Sequence, residues 1–350
     1  MFAAPLKRGA LLLCLLLLTG CAGGAAPTPA PQTPATAKPA AKVDYSGVYP
    51  ALWKVSDEGP AIPGLGDGVI PQGLAYWKDK NWLIMSGYVE SGGASTLAIM
   101  DAGTQALVKT VQLYQENGSA YGGHAGGVAV SQRHLWISSG GLLWWAPLSA
   151  LADAPDKGKL TFSGRFETVV RSSFTTYHGG ILWAGEFYSA PDYETDDSHK
   201  LSRNGLRYSA WTVGYRLDAQ TDLPKAEAQP DYVLAIPDQV QGMAVASGNM
   251  ILSQSYGRNK QSTLLKYKLP DLTGQPDQSV SVKGKSVPLW FMERKLVTAS
   301  LPLPPMSEGI IVDGANRLYI LFESGAKKYR PSAVDPMDQF RVIRLADWNP

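Results

Sequence analysis

The side chains of this chain best able to do polar chemistry are three glutamates and a histidine, each beside a glycine or at the end of an apolar run. Glu186 follows Gly185, Glu308 precedes Gly309, Glu323 closes Leu318-Tyr319-Ile320-Leu321-Phe322, and His124 lies in Gly123-His124-Ala125-Gly126-Gly127. Brought together, the three carboxylates with His124 could hold a divalent cation such as Ca²⁺, which takes six to eight oxygen ligands. Kept apart, each is a hydrogen-bonded polar side chain. Arg258, in Ser255-Tyr256-Gly257-Arg258, fits either an ion pair with Glu308 or Glu323 or a contact to an anionic ligand. His134 and His178, near Trp136 and Gly179, read as turn residues, and His199, in the charged stretch 192–200, reads as part of a solvated loop. There is no Gly-x-Ser-x-Gly elbow, phosphate loop, His-Glu-x-x-His or cysteine pair for zinc, which removes the enzyme classes built on them. The ten tryptophans, including adjacent Trp144 and Trp145, could stack on sugars, but on strands such side chains pack sheets together.

Whether these groups meet depends on the elements that carry them. Beyond Asp44 the chain has no long stretch of helical periodicity; short β-branched and aromatic runs alternate with Gly, Asn, Asp and Ser, an all-β pattern. The pattern repeats. Gln72-Gly73-Leu74-Ala75-Tyr76 precedes Trp82-Leu83-Ile84-Met85-Ser86, and Gly127-Val128-Ala129-Val130 precedes Leu135-Trp136-Ile137-Ser138-Ser139. Ser173-Phe174-Thr175-Thr176-Tyr177, a degenerate copy, precedes Leu182-Trp183-Ala184-Gly185. Gln241-Gly242-Met243-Ala244-Val245 precedes Met250-Ile251-Leu252-Ser253, and Glu308-Gly309-Ile310-Ile311-Val312 precedes Leu318-Tyr319-Ile320-Leu321-Phe322. Five units, none able to bury both faces alone, predict a five-bladed β-propeller of four-stranded antiparallel blades; six or seven blades, or a sandwich, are the alternatives. The copies start 54, 46, 69 and 67 residues apart, against about 40 to 50 for a blade, so the long intervals carry insertions, placed at 190–206 and 275–286. The last blade lacks a fourth strand after residue 345, and residues 48–55 are expected to supply it and close the ring.

Because strands of a meander alternate in direction, the starts of the inner strands and the ends of the second strands share one face of the ring. That face collects Gln72, Tyr88, His124, Glu186, Gln241, Tyr256, Arg258, Glu308 and Glu323, the candidate ligand-binding residues, with Glu186, Glu308 and Glu323 as the candidate metal ligands. The opposite turns, such as Lys78-Asp79-Lys80-Asn81, look like ordinary solvated hairpins. Ligand sites are concave with a few convergent polar groups, which places the site at the channel mouth.

At the N-terminus, Lys7 and Arg8 precede an apolar run ending in Leu18-Thr19-Gly20-Cys21. The run is too short to cross roughly 30 Å of hydrocarbon and has the form of a signal peptide, residues 1–20. Its end resembles the lipobox of bacterial lipoprotein precursors. That implies processing by the lipoprotein-maturing enzymes, acylation of Cys21 with palmitate-type chains, and a stable membrane anchor. Residues 21–44, mostly Ala, Pro, Thr and Gly, cannot bury enough apolar surface to fold and read as a semi-extended tether; residues 45–350 form a single domain. Cys14 and Cys21 are the only cysteines, so the domain has no disulfide, and with Lys7 and Arg8 removed 30 basic residues face 30 acidic ones, a balance without the basic footprint nucleic acid requires. Ala22 after Cys21 implies, by the same resemblance, the outer membrane of a two-membrane cell facing the periplasm, or the exterior of a single-membrane cell.

The Gln/Glu-Gly-apolar-Ala-apolar pattern, followed by a turn and Leu-Tyr/Trp-apolar-x-Ser, resembles the blades of secreted bacterial propellers of the NHL, YncE and SMP-30/gluconolactonase-like groups, from Gln72 to Leu345. In the gluconolactonase-like group a glutamate in the place of Glu308 is a metal ligand, but that group's further Asn and Asp ligands have no counterpart here. Two readings follow. One is a non-enzymatic, envelope-anchored propeller presenting its mouth to an envelope protein, glycan or small molecule. The alternative is a metal-dependent hydrolase or lactonase, with Glu186, Glu308 and Glu323 as ligands or bases and His124 as acid–base partner. Under either, Cys21→Ala abolishes incorporation of labelled palmitate and moves the protein from the membrane to the soluble fraction; a variant still membrane-bound contradicts the anchor.

Overall fold

A computed structural model describes residues 44–225 and 229–348. The signal segment, Cys21 and the tether up to residue 43 lie outside the described residues, and among the described residues no helix is long and apolar enough to cross a membrane.

Five sheets of meandering strands form the blades of a propeller. Blade 1 runs Val69–Trp77, Trp82–Val89, Thr96–Asp101 and Leu107–Tyr114 from the axis outward. Blade 2 runs Gly127–Val130, His134–Ser139, Leu142–Pro147 and Gly164–Glu167, and blade 3 Phe174–His178, Ile181–Gly185, Ala210–Arg216 and Tyr232–Ile236. Blade 4 comprises Val240–Ala246, Asn249–Gln254, Ser262–Lys268 and Val297–Leu303. In blade 5, Ser307–Val312, Arg317–Phe322 and Gln339–Arg344 are joined by Ser56–Ala61 from the other end of the chain.

Ring closure by the N-terminal segment therefore occurs, but not through residues 48–55. Pro50–Val55 is a short helix, and the strand begins at Ser56. Proline is tolerated in the first helical turn, where its missing N–H would have no partner, and Ala51, Leu52 and Lys54 favour helix over strand. Arg341 secures the junction: its Nη2 donates to the Ser56 carbonyl and Oγ at 2.8 Å each, and its guanidinium lies 4.2 Å from the Trp53 ring centroid.

A second departure concerns the insertion at 275–286. Rather than a loop, Gln278–Val282 and Lys285–Phe291 form a hairpin that adds in parallel to the outer strand of blade 3. The corresponding connection of blade 2 behaves alike, Gly158–Thr161 adding in parallel to the outer strand of blade 1. Each covers an edge that would otherwise offer unpaired backbone groups to another chain. Lys109 fastens the blade 2 connection, its Nζ donating to the carbonyls of Leu151, Ala152 and Ala154 at 2.7 to 2.9 Å. The expected insertion at 190–206 does lie outside the blade, with a small hairpin of Leu201–Arg203 and Leu206–Tyr208.

The apolar faces of neighbouring blades form the core, with Trp136, Trp183, Trp211 and Tyr319 almost wholly buried. Trp144 and Trp145 belong to this packing: Trp144 lies against Tyr121 and Phe162, and Trp145 against His134. Nearer the axis the inner strands meet backbone to backbone. A Cβ on Gly127 would stand 2.4 Å from the Thr175 nitrogen and 2.6 Å from Ser138 Oγ, and one on Gly73 2.5 Å from the Val128 nitrogen. Gly127→Ala should therefore cost about 3 kcal/mol or more, since overpacking here must move backbone. Gly66→Ala, with nothing within 4 Å, should change stability by no more than about 0.5 kcal/mol. Urea unfolding of both variants checks the contrast, and equal effects contradict it.

Candidate functional site

The starts of the inner strands and the ends of the second strands open on a cavity of about 690 Å³. Every inner strand contributes at its start: Gln72, Gly126, Ser173, Gln241 and Glu308 all line it. In blades 1, 4 and 5 the pairing of inner and second strand slips register there, between Pro71 and Leu74, Val240 and Gly242, and Ser307 and Ile310. Bulges of this kind re-aim side chains, and these three carry Gln72, Gln241 and Glu308. A related distortion precedes four of the five inner strands, where Ala125, Ser172, Gln239 and Met306 hold left-handed φ values of 50°, 50°, 63° and 63°, a conformation that costs a non-glycine residue roughly 1 kcal/mol or more.

The floor of the cavity is a pair of carboxyl groups. Glu308 is 3% exposed and hydrogen-bonded to Glu323. Gln241 Nε2 donates to Glu308 Oε1 at 3.0 Å; Gln72 Nε2 donates to Glu323 Oε2 at 3.1 Å and to the Pro71 carbonyl at 2.8 Å. Burial raises both acids, and the charge of Glu323 raises Glu308 further, so Glu308 keeps its proton and donates it to Glu323. Glu323 is pushed up to about 7 by burial, against the hydrogen bonds from Gln72 and Glu308 and the positive charges of Lys328 and Arg258. The two titrate as a unit: the pair is neutral on the acid side of about 7 and singly charged above it.

Around this floor stand aromatic rings. Tyr88 does not line the cavity but stacks on His124, with centroids 4.6 Å apart and planes at 28°, and its hydroxyl meets that of Tyr329 at 3.2 Å. Desolvation of its ring and the positive charge of Lys328 hold His124 below the usual histidine range. On the other side Phe187, Tyr193 and Tyr256 form a cluster whose ring planes meet at 54° to 90°. Arg258 makes no ion pair with either glutamate: its Nη1 donates to Ser332 Oγ at 2.9 Å and its guanidinium lies 5.0 Å from the Tyr329 ring centroid.

Of the expected residues, Gln72, His124, Gln241, Tyr256, Arg258, Glu308 and Glu323 line one cavity. Glu186 does not. It is fully buried behind the wall, where its Oε1 accepts from His199 Nδ1 at 2.8 Å and from the Trp211 backbone N–H at 3.0 Å. His199 is correspondingly no solvated loop residue: it is 6% exposed and stacked on Trp211 at 4.0 Å. His134 is buried too, its Nδ1 3.1 Å from the Asp222 carbonyl. The metal set of Glu186, Glu308 and Glu323 with His124 is thus not assembled, and among the described residues no three His, Cys, Asp or Glu side chains form a group able to hold a metal ion. The floor does not fit a resident cation either, since both glutamine amides turn N–H groups toward it. Arg171, Asp192, Tyr193 and Tyr329 line the cavity without having been expected there. Arg171 stands directly before the strand-start residues Ser172 and Ser173, a position that could have revealed it; Tyr193 and Tyr329 lie six or more residues beyond a second strand, where repeat spacing says nothing.

No protein-family model and no curated protein matches the sequence. Among solved structures the chain is similar to a Myxococcus xanthus glutaminyl cyclase (11% identity over 83% of this chain and 95% of that one, TM-score 0.41). It is also similar to a Streptomyces coelicolor aldose sugar dehydrogenase with PQQ bound (13%, 83% and 96%, 0.41) and to an Agrobacterium tumefaciens regucalcin described as calcium-binding (11%, 83% and 92%, 0.34). The assignment of the fold rests on the strand pairing above.

The carboxyl pair has a consequence for stability. Both folded-state values lie above the unfolded one, so the pair's contribution is fully present below pH of about 4.5; the part from Glu323 is lost as pH rises through about 7, and the part from Glu308 continues to fall at higher pH. The stability of the native protein relative to the double variant Glu308→Gln/Glu323→Gln should fall between pH 5 and 8, by roughly 2 to 3 kcal/mol through Glu323 and further through Glu308. Urea unfolding at several pH values checks this, and a difference independent of pH contradicts it.

Proposed function

We propose that this chain is an envelope-anchored propeller, tethered through Cys21, that binds a ligand at the mouth of its central channel. The observation that carries the reading is the convergence of side chains from all five blades on one cavity of about 690 Å³, within the size range of small-molecule sites and floored by partly satisfied polar groups. In screens of small molecules by thermal shift, ligands of the native protein should lose affinity by about tenfold or more in both Glu308→Gln and Tyr256→Ala. A ligand indifferent to both variants contradicts the reading.

A second reading, hydrolysis at the same mouth, draws on one feature. Glu308 and Glu323 hold an acid and an incipient base in contact, the arrangement needed for proton transfer. Metal-assisted hydrolysis has less support, because Glu186 is committed to His199 and Trp211. Turnover of lactone or ester substrates that disappears in Glu308→Gln would favour hydrolysis over simple binding.

A further inference from the structure

The walls of the mouth differ in kind, and the difference bears on what fits between them. On the side of blades 3 and 4, Phe187, Tyr193 and Tyr256 meet with centroids 5.2, 5.6 and 6.3 Å apart and planes at 90°, 54° and 80°. In these edge-to-face and tilted contacts Phe187 is left only 7% exposed, whereas Tyr193 remains 48% exposed and Tyr256 half-buried. The wall therefore keeps aromatic surface available to a ligand.

The floor offers something else. Glu308, Glu323, Gln72 and Gln241 present planar carboxyl and carboxamide groups, with both amide nitrogens turned to the acids. Among the described residues, the Gln72 and Gln241 carbonyl oxygens accept no hydrogen bond from the protein, although Gln72 is only 4% exposed. The floor therefore offers a ligand chiefly acceptors, with one Gln241 amide hydrogen left over, because both Gln72 amide hydrogens are used on Pro71 and Glu323.

The fixed charges of the lining balance. Arg171 and Arg258 keep their positive charge, since they donate to neutral groups, the Glu194 carbonyl at 2.6 Å and Ser332 Oγ. Asp192 supplies one opposing charge on the same lining and the singly ionised carboxyl pair the other.

Resting on the reading of the mouth as a ligand site, we infer that the ligand is a neutral saccharide, its C–H face against the Tyr193 and Tyr256 rings and its hydroxyls on the Gln72, Gln241, Glu308 and Glu323 floor. A pyranose ring has an apolar face of axial C–H groups and a periphery of hydroxyls that each donate and accept. It matches a cavity that joins exposed tyrosine surface to a floor rich in acceptors, to which its hydroxyls donate, where a purely apolar ligand would leave the floor unpaired.

The test is titration of the purified full chain with a panel of neutral mono- to tetrasaccharides, followed by saturation-transfer NMR. Saturable binding is expected, weakened by roughly tenfold or more in Tyr256→Ala and in Gln72→Leu and retained within about threefold in Tyr256→Phe, which keeps the ring. Circular dichroism and melting of each variant separate loss of the site from loss of the fold. Absence of saturable binding across the panel overturns the inference, as does binding that Tyr256→Ala leaves unchanged. If amino acids, nucleotides or organic acids bind instead and Glu308→Gln weakens them, the saccharide is wrong and the mouth remains a ligand site.

Discussion

The close approach of the inner strands around the channel axis is the constraint on which the rest of the structure depends. Gly73, Gly127, Gly242 and Gly309 each stand where a Cβ would come within 3.0 Å of a neighbouring strand's backbone. Serines on the second strands complete the junctions: Ser86 Oγ accepts from the Gly73 N–H and donates to the Ala125 carbonyl, and Ser253 Oγ lies 2.8 Å from Ser307 Oγ. The repeat of glycine on one strand and serine on the next is therefore a device for joining blades. It also sets the site. Residues directly before the glycines stand in a small ring at the mouth, and in blades 1, 4 and 5 those residues are Gln72, Gln241 and Glu308.

Crowding at the axis has a counterpart at the rim, where blades diverge and outer strands are left with open edges. Strand Gly158–Thr161 and the hairpin ending at Phe291 each reach back to cover the blade before their own, and Ser56–Ala61 joins the first and last parts of the chain. The N-terminal entrance is linked to the mouth as well. Tyr49 donates its hydroxyl to Asp335 at 2.9 Å and Tyr45 approaches the Pro336 carbonyl, in the same connection of blade 5 that carries Glu323, Lys328 and Tyr329.

What could be read in the sequence follows from which interactions are local. Blade number, the inner strands and the face bearing Gln72, Gln241 and Glu308 were legible because Gly-apolar-Ala-apolar and the serine-ended run each report a neighbour a few residues away. Long-range pairing left no such signal: nothing in Gly158–Thr161 names Leu107–Tyr114 as its partner. Glu186 was misplaced because its position in the repeat matches that of Glu323, while its actual partner, His199, comes from an insertion outside the repeat. Burial of that charged insertion against Trp211 is a property of the folded molecule, and the polarity of residues 192–200 pointed the other way.

At the centre of the account is a pair of glutamates joined by one proton at the base of the mouth, clamped by Gln72 on one side and Gln241 on the other. Carbon-13 NMR of the protein labelled at glutamate side-chain carboxyls, with Glu308 and Glu323 assigned through single Gln variants, reads this pair directly across pH. One step of the pair is expected near pH 7 and the other higher, and either single variant is expected to shift the titration of the remaining partner. Two carboxyls titrating independently between about pH 4 and 5 would contradict it.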